Sequence, residues 1–97
     1  MEFIQIVEFT TADFEAVRRI DAEWEKASEG KRTARRQIVT RDRNNPERHL
    51  VLVFFDSYES AMDNSNLPET QAFAERYRAV TKDVAFQDLD VVSDTEL

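Results

Sequence analysis

The residues that could do chemistry in this chain are few and widely spaced. His49 is the only histidine, and imidazole is the side chain that exchanges protons near neutral pH, so its place beside an apolar run makes it a candidate general base. The plainer reading of His49 is a partly solvated strand-end histidine next to the turn at 44–48. Tyr77 lies among apolar residues and Tyr58 follows Ser57 at a helix start, so either phenol could hold a bound molecule. Asn64 and Asn66 interrupt a helical pattern just before Leu67-Pro68. An amide there either binds a ligand or caps exposed backbone groups; capping is the role expected of Asn66, and both roles stay open for Asn64. Trp24, the only tryptophan, stands on an apolar stripe, where an indole packs the core or forms an aromatic wall for a ligand.

Other chemistries drop out. One glycine cannot build a phosphate-cradling loop, and one histidine without cysteine supplies neither a zinc set nor a reactive thiol. Asp88 and Asp90 are two apart on a strand and share a face, but two carboxylates without further oxygen ligands make a poor cation site. No metal and no cofactor is therefore expected.

The elements that must position these residues follow from the pattern. Phe3 to Phe9 reads as a strand apolar on both faces, with Phe3, Val7 and Phe9 on one side and Ile4 and Ile6 on the other. Thr10-Thr11 offers a hydroxyl N-cap, and Phe14, Val17, Ile20, Trp24 and Ala27 then mark the apolar stripe of a helix that Gly30 follows. A weak, edge-like strand spans Arg35 to Arg43, and the cluster Asn44-Asn45-Pro46-Glu47 turns the chain into the strongest strand, His49 to Phe55. Asp56 and Glu59 fit a capping box for a short helix holding Ala61 and Met62. Pro68 suits the first position of a further helix, striped by Phe73, Tyr77 and Val80, and a last strand covers Val84 to Val92 before a frayed tail, residues 93–97.

The chain has 97 residues and a net charge of −7. A domain of this size has a marginal core, and without disulfides the common reinforcement is association. The acidic balance argues against a nucleic-acid or anionic-membrane surface, because phosphate binding needs a basic field. Seven of the basic side chains crowd between Lys31 and Arg48, where they would also discourage unwanted pairing of an edge strand. No apolar run approaches the roughly 18–20 residues of a membrane span, and cytoplasm is the default compartment.

The order β, α, β, β, broken α, β is the ferredoxin-like split arrangement, an α+β class, read as a single domain over residues 1–97. Two helices cover one face of such a sheet, yet the strand at 49–55 is apolar on both, so the second face should meet the sheet of another copy. Val53 and Phe55 are assigned to that partner-facing side.

With this order, the start at 3–9, the block from Leu50 through Ala61 and the stretch from Asn64 to Tyr77 resemble the dimeric α/β-barrel superfamily, in particular small proteins related to antibiotic-biosynthesis monooxygenases. The resemblance implies a homodimer and cofactor-free oxygenation as one activity of the group. Haem-degrading members use a first-strand Asn, a Trp after the third strand and a last-helix His; here the matching stretches hold Gln5, no Trp, and Arg76-Tyr77-Arg78. Quinone-forming members use an Asn, a Trp and a Tyr; Asn64 and Tyr77 lie in comparable stretches and the Trp is missing.

The reading is a homodimer that holds a small aromatic or polyketide-like molecule between helices and sheet, and oxygenates it without a cofactor. His49 would take or stabilise a proton, Tyr77 and Asn64 would hold a substrate oxygen, and Trp24 with Tyr58 would contact the ligand. The alternative is a non-catalytic dimeric binding or interaction module. Neither nucleic acid nor membrane is an expected partner.

Overall fold

A computed structural model describes all of residues 1–97. Its elements are β1 (Phe3–Thr10), α1 (Phe14–Ala27), β2 (Arg36–Asp42), β3 (Asn45–Phe55), α2 (Tyr58–Ser65), α3 (Pro68–Val80) and β4 (Lys82–Asp90). The strands form one antiparallel sheet in the order β2-β3-β1-β4. This is the ferredoxin-like arrangement, with β2 and β4 as the two edges.

Local chemistry sets the boundaries, and several differ from the sequence expectation. Thr10 stays in the sheet, opposite Arg48 and Lys82, so the N-cap of α1 moves on to Asp13, whose carboxylate accepts from the Ala16 N–H at 3.1 Å. Thr11 instead donates its hydroxyl to the Val80 carbonyl at 2.8 Å and ties the start of α1 to the end of α3. Gly30 closes the far end with φ of 78°, the left-handed conformation that a Cβ disfavours. The box that opens α2 is Ser57–Ser60 rather than Asp56–Glu59, with the Ser57 hydroxyl accepting from the Ser60 N–H at 3.1 Å and Ser60 answering at 3.2 Å. Asp56 is drawn away to Arg35, 2.6 Å distant.

The turn between β2 and β3 is tighter than expected. Asp42 pairs with Asn45, so Asn45 and Pro46 belong to the strand, and a bulge absorbs the extra residues before Arg41 meets His49. Strand β4 begins at Lys82 rather than Val84, directly after α3, with Asp83 in a left-handed conformation at φ of 56°.

Register decides which side of each strand meets the helices. Phe3 pairs with Phe55, Val7 with Val51 and Phe9 with His49, and all of these residues point toward the helical layer. Val53 and Phe55 therefore pack beneath the helices, contrary to the expectation that they face a partner. Phe55 joins Phe3 and Ala61 in one buried cluster, while Phe9, Val17, Val51 and Tyr77 form another. The opposite face carries Ile4, Ile6, Ile38, Leu50, Leu52 and Phe54, half-buried by their neighbours and without a covering layer.

Candidate functional site

The buried core is split, and the gap between its two clusters is a cavity of about 1120 Å³. Its floor is the helix-facing side of the sheet, including Gln5, Val7, Val51, Val53 and Phe55, and its roof is α1 and α3. Trp24, Asn64 and Tyr77 all line it, although they come from three different helices. The volume suffices for a molecule of several fused rings, since ligand pockets commonly span roughly 300–1,000 Å³.

Trp24 forms the aromatic wall together with Phe73, at 5.8 Å between ring centroids, and Phe73 continues to Tyr77 at 5.1 Å. The indole N–H donates to the Thr70 hydroxyl at 3.0 Å, which fixes the ring in the cavity wall. The Arg32 guanidinium stands 5.7 Å from the Trp24 ring and is held by the Glu25 carbonyl at 2.7 Å.

Asn64 sits at the C-terminal end of α2 and is buried. Its amide oxygen accepts the Thr33 backbone N–H at 3.1 Å, and the Thr33 hydroxyl donates to the Ser60 carbonyl. With the oxygen engaged, the group Asn64 can offer to a cavity occupant is its NH₂, a donor.

Tyr77 is 8% exposed, and burial raises its phenol well above the ordinary tyrosine value, with the Asp21 carboxylate adding to the effect. It therefore remains an O–H donor over the physiological range.

Asp21 is the residue that sequence reasoning missed. It lines the cavity from α1, one turn before Trp24, and its carboxylate accepts from the Gln37 side chain of β2 at 3.4 Å. Burial raises its pKa above the ordinary aspartate value; the Gln37 hydrogen bond opposes that shift and the nearby Glu25 charge adds to it. A signal was present in the spacing: Phe14, Val17, Asp21 and Trp24 recur at three and four, so an acid occupies a position where the stripe calls for an apolar side chain.

His49 and Tyr58 are placed elsewhere. His49 is 1% exposed and sandwiched between Phe14, at 4.4 Å, and Phe9, at 5.3 Å, with both rings nearly parallel to the imidazole. It is not among the cavity's lining residues. Its Nδ1 lies 3.1 Å from the Glu47 carbonyl and its Nε2 is 3.4 Å from the Arg41 Nε, which fits Nδ1–H as donor and Nε2 as acceptor. Tyr58 is half-exposed, packs edge-on to Phe3 at 5.5 Å, and also lies outside the cavity. No group of three His, Cys, Asp or Glu side chains is arranged to hold a metal ion, and no helix is long and apolar enough to cross a membrane.

No protein-family model matches the chain, and no curated protein matches its sequence. Solved structures do resemble it. SnoaB, a cofactor-independent oxygenase from Streptomyces nogalater, superposes with a TM-score of 0.82 over 96% of this chain and 95% of that one, at 12% identity. A candidate antibiotic biosynthesis monooxygenase from Chloroflexus aurantiacus gives 0.77 over 99% and 98%, at 16% identity. One from Deinococcus radiodurans gives 0.78 over 98% and 97%, at 12% identity. At such identities the likeness establishes the fold alone: the chain shares the ferredoxin-like architecture of these structures.

Proposed function

We propose that this protein is a homodimeric, cofactor-independent monooxygenase acting on an aromatic, polyketide-like molecule held in the cavity between its sheet and helices. The observation that carries the reading is the convergence of Trp24, Asn64 and Tyr77 on one cavity of about 1120 Å³. Trp24 and Phe73 supply an aromatic wall, while the Asn64 NH₂ and the Tyr77 O–H supply two donors for one substrate oxygen. Donors aimed at an oxygen stabilise the anion that forms when the substrate loses a proton, which is how a site without a cofactor activates a phenol or anthrone toward dioxygen. The likeness in fold to a cofactor-independent oxygenase adds to the reading.

The chemistry balances without a bound cofactor. An aryl-flanked methylene loses both hydrogens, one atom of dioxygen becomes the new carbonyl oxygen and the other leaves as water, so the substrate supplies all the electrons. The donors lower the barrier to the carbanion, which passes an electron to dioxygen; recombination gives a hydroperoxide that loses water.

The dimer reading rests on the uncovered sheet face, where six apolar side chains lie together on a chain too small for a large core. A second sheet packed there would leave the cavity of each subunit facing its own helices.

The test is oxygen uptake with dithranol, a dihydroxyanthrone. The expected result is one dioxygen consumed per quinone formed, above the rate in buffer, with Tyr77→Phe and Asn64→Ala each slowing turnover by about 10-fold or more. Uptake no faster than buffer alone contradicts the oxygenase reading and leaves the non-catalytic binding module.

A further inference from the structure

The proposed reaction requires a group that removes a proton from the bound substrate, and neither cavity donor can serve. Asn64 does not titrate, and Tyr77 holds its own proton. His49 is walled off between Phe9 and Phe14. We infer that Asp21 is the proton acceptor of the cavity, taking a proton from the acidic C–H or O–H of an aromatic substrate whose oxygen lies against Asn64 and Tyr77; this rests on the oxygenase reading of the same site.

The geometry favours the assignment in three ways. Asp21 lines the cavity from α1, one helical turn from Trp24, and is half-buried where Glu25, the other carboxylate lining it, is exposed. Its only side-chain hydrogen bond is the long one from Gln37, 3.4 Å, so a carboxylate lone pair remains for a substrate proton while Gln37 positions the group. No ion pair neutralises it, in contrast to Glu8, Asp42, Asp56 and Glu69, which all have basic partners. The charged or titratable side chains that line the cavity with it are Arg18 and Glu25 on its own helix, Arg32 and Arg35 on the following loop, Arg36 on β2, and Tyr77 and Arg78 on α3. Burial makes the Asp21 carboxylate more basic than an exposed one, which improves it as an acceptor at neutral pH.

The step is a proton transfer only: the substrate C–H bond breaks, its electron pair stays on the substrate, and the proton goes to an Asp21 carboxylate oxygen. It can therefore be observed without oxygen. Dithranol bound under argon in deuterated buffer should exchange its methylene hydrogens faster than in buffer alone, and the rate should fall as pH drops through the raised Asp21 value. Asp21→Asn should still bind dithranol, read by quenching of the single tryptophan. It should slow exchange about 100-fold or more and lose the acid limb of the pH profile. Asp21→Glu should restore part of the rate, which a merely structural role would not do. If the wild type exchanges quickly yet takes up no oxygen, Asp21 stands and the oxygenase reading falls. If Asp21→Asn exchanges as fast as the wild type, or the wild type no faster than buffer, Asp21 is not the acceptor.

Discussion

The indole of Trp24 donates its N–H to the Thr70 hydroxyl at 3.0 Å and so joins α1 to α3 across the roof of the cavity. This contact links the two helices that must hold a fixed spacing if the space beneath them is to stay open. In Thr70→Val the indole N–H loses its partner in a half-buried place. We expect a loss of about 0.5–1.5 kcal/mol, a fall in melting temperature of several degrees, and an altered tryptophan emission, measured by thermal and fluorescence melts. An unchanged melt and spectrum would show that the contact is not formed in solution.

The two faces of β3 should answer differently to the same charge. Phe55→Asp places a carboxylate in the cluster of Phe3 and Ala61, where a buried, unpaired charge costs roughly 3–5 kcal/mol, and should unfold the chain. Leu52→Asp alters the uncovered face, between Ile6 and Ile38, and should leave helical content intact while dissociating the proposed dimer. Circular dichroism and sedimentation velocity separate the two outcomes. A Leu52→Asp protein that sediments as the wild type does would remove this face as the interface.

Asp21 also carries a sign for stability. Its folded value is raised, chiefly by burial, so the folded state holds the neutral acid more readily than the unfolded state does. The stability this contributes is complete below the unfolded aspartate value and is lost as pH rises through the folded one. At neutral pH the charged group is a net burden, and Asp21→Asn should melt a few degrees higher than the wild type, since about 1 kcal/mol moves a domain of this size by roughly 4–8 °C. The difference should shrink as pH falls. A variant that melts lower at neutral pH contradicts this environment for Asp21.

His49 should bind no haem. An iron ligand must present a free ring nitrogen to an open site, whereas this imidazole is 1% exposed between two phenyl rings, with both nitrogens within reach of other groups. Titration with haemin at neutral pH should give no shifted Soret band. A shifted band that His49→Ala abolishes would contradict the placement of His49.

The architecture was legible because its signals are local and periodic. The β-branched and aromatic run from Phe3 to Phe9, the stripe from Phe14 to Trp24 and the proline opening α3 each fix an element within a few residues. What escaped depends on contacts between distant parts of the chain. Leu50, Leu52 and Phe54 are as apolar as Val51, Val53 and Phe55, so alternation alone cannot say which set meets the helices; pairing with Phe3 and Phe9 decides it. The two hydroxyls at Thr10 and Thr11 were the obvious cap, but pairing of Thr10 in the sheet delays the helix to Asp13.

The site was partly legible for the same reason. Trp24 and Tyr77 stand on recognisable stripes, and Asn64 interrupts a recognisable helix, so their side chains could be singled out one at a time. His49 looked like a solvated strand end because Phe14, the ring that covers it, lies far away in sequence. A single acid on a helix rich in acids is ordinary; only its half-buried place and its contact with Gln37 on β2 distinguish Asp21 from Glu23 and Glu25.

The central claim is that the cavity between α1, α3 and the sheet receives a planar aromatic molecule, and Trp24, the only tryptophan, reports on it directly. Titration of the protein with dithranol under argon should quench tryptophan emission saturably at one ligand per chain, and replacing Ala74, another lining residue, by Phe to fill the space should weaken or abolish the effect. Emission that falls only linearly with ligand, or saturates equally in Ala74→Phe, would place the ligand outside the cavity and contradict the account.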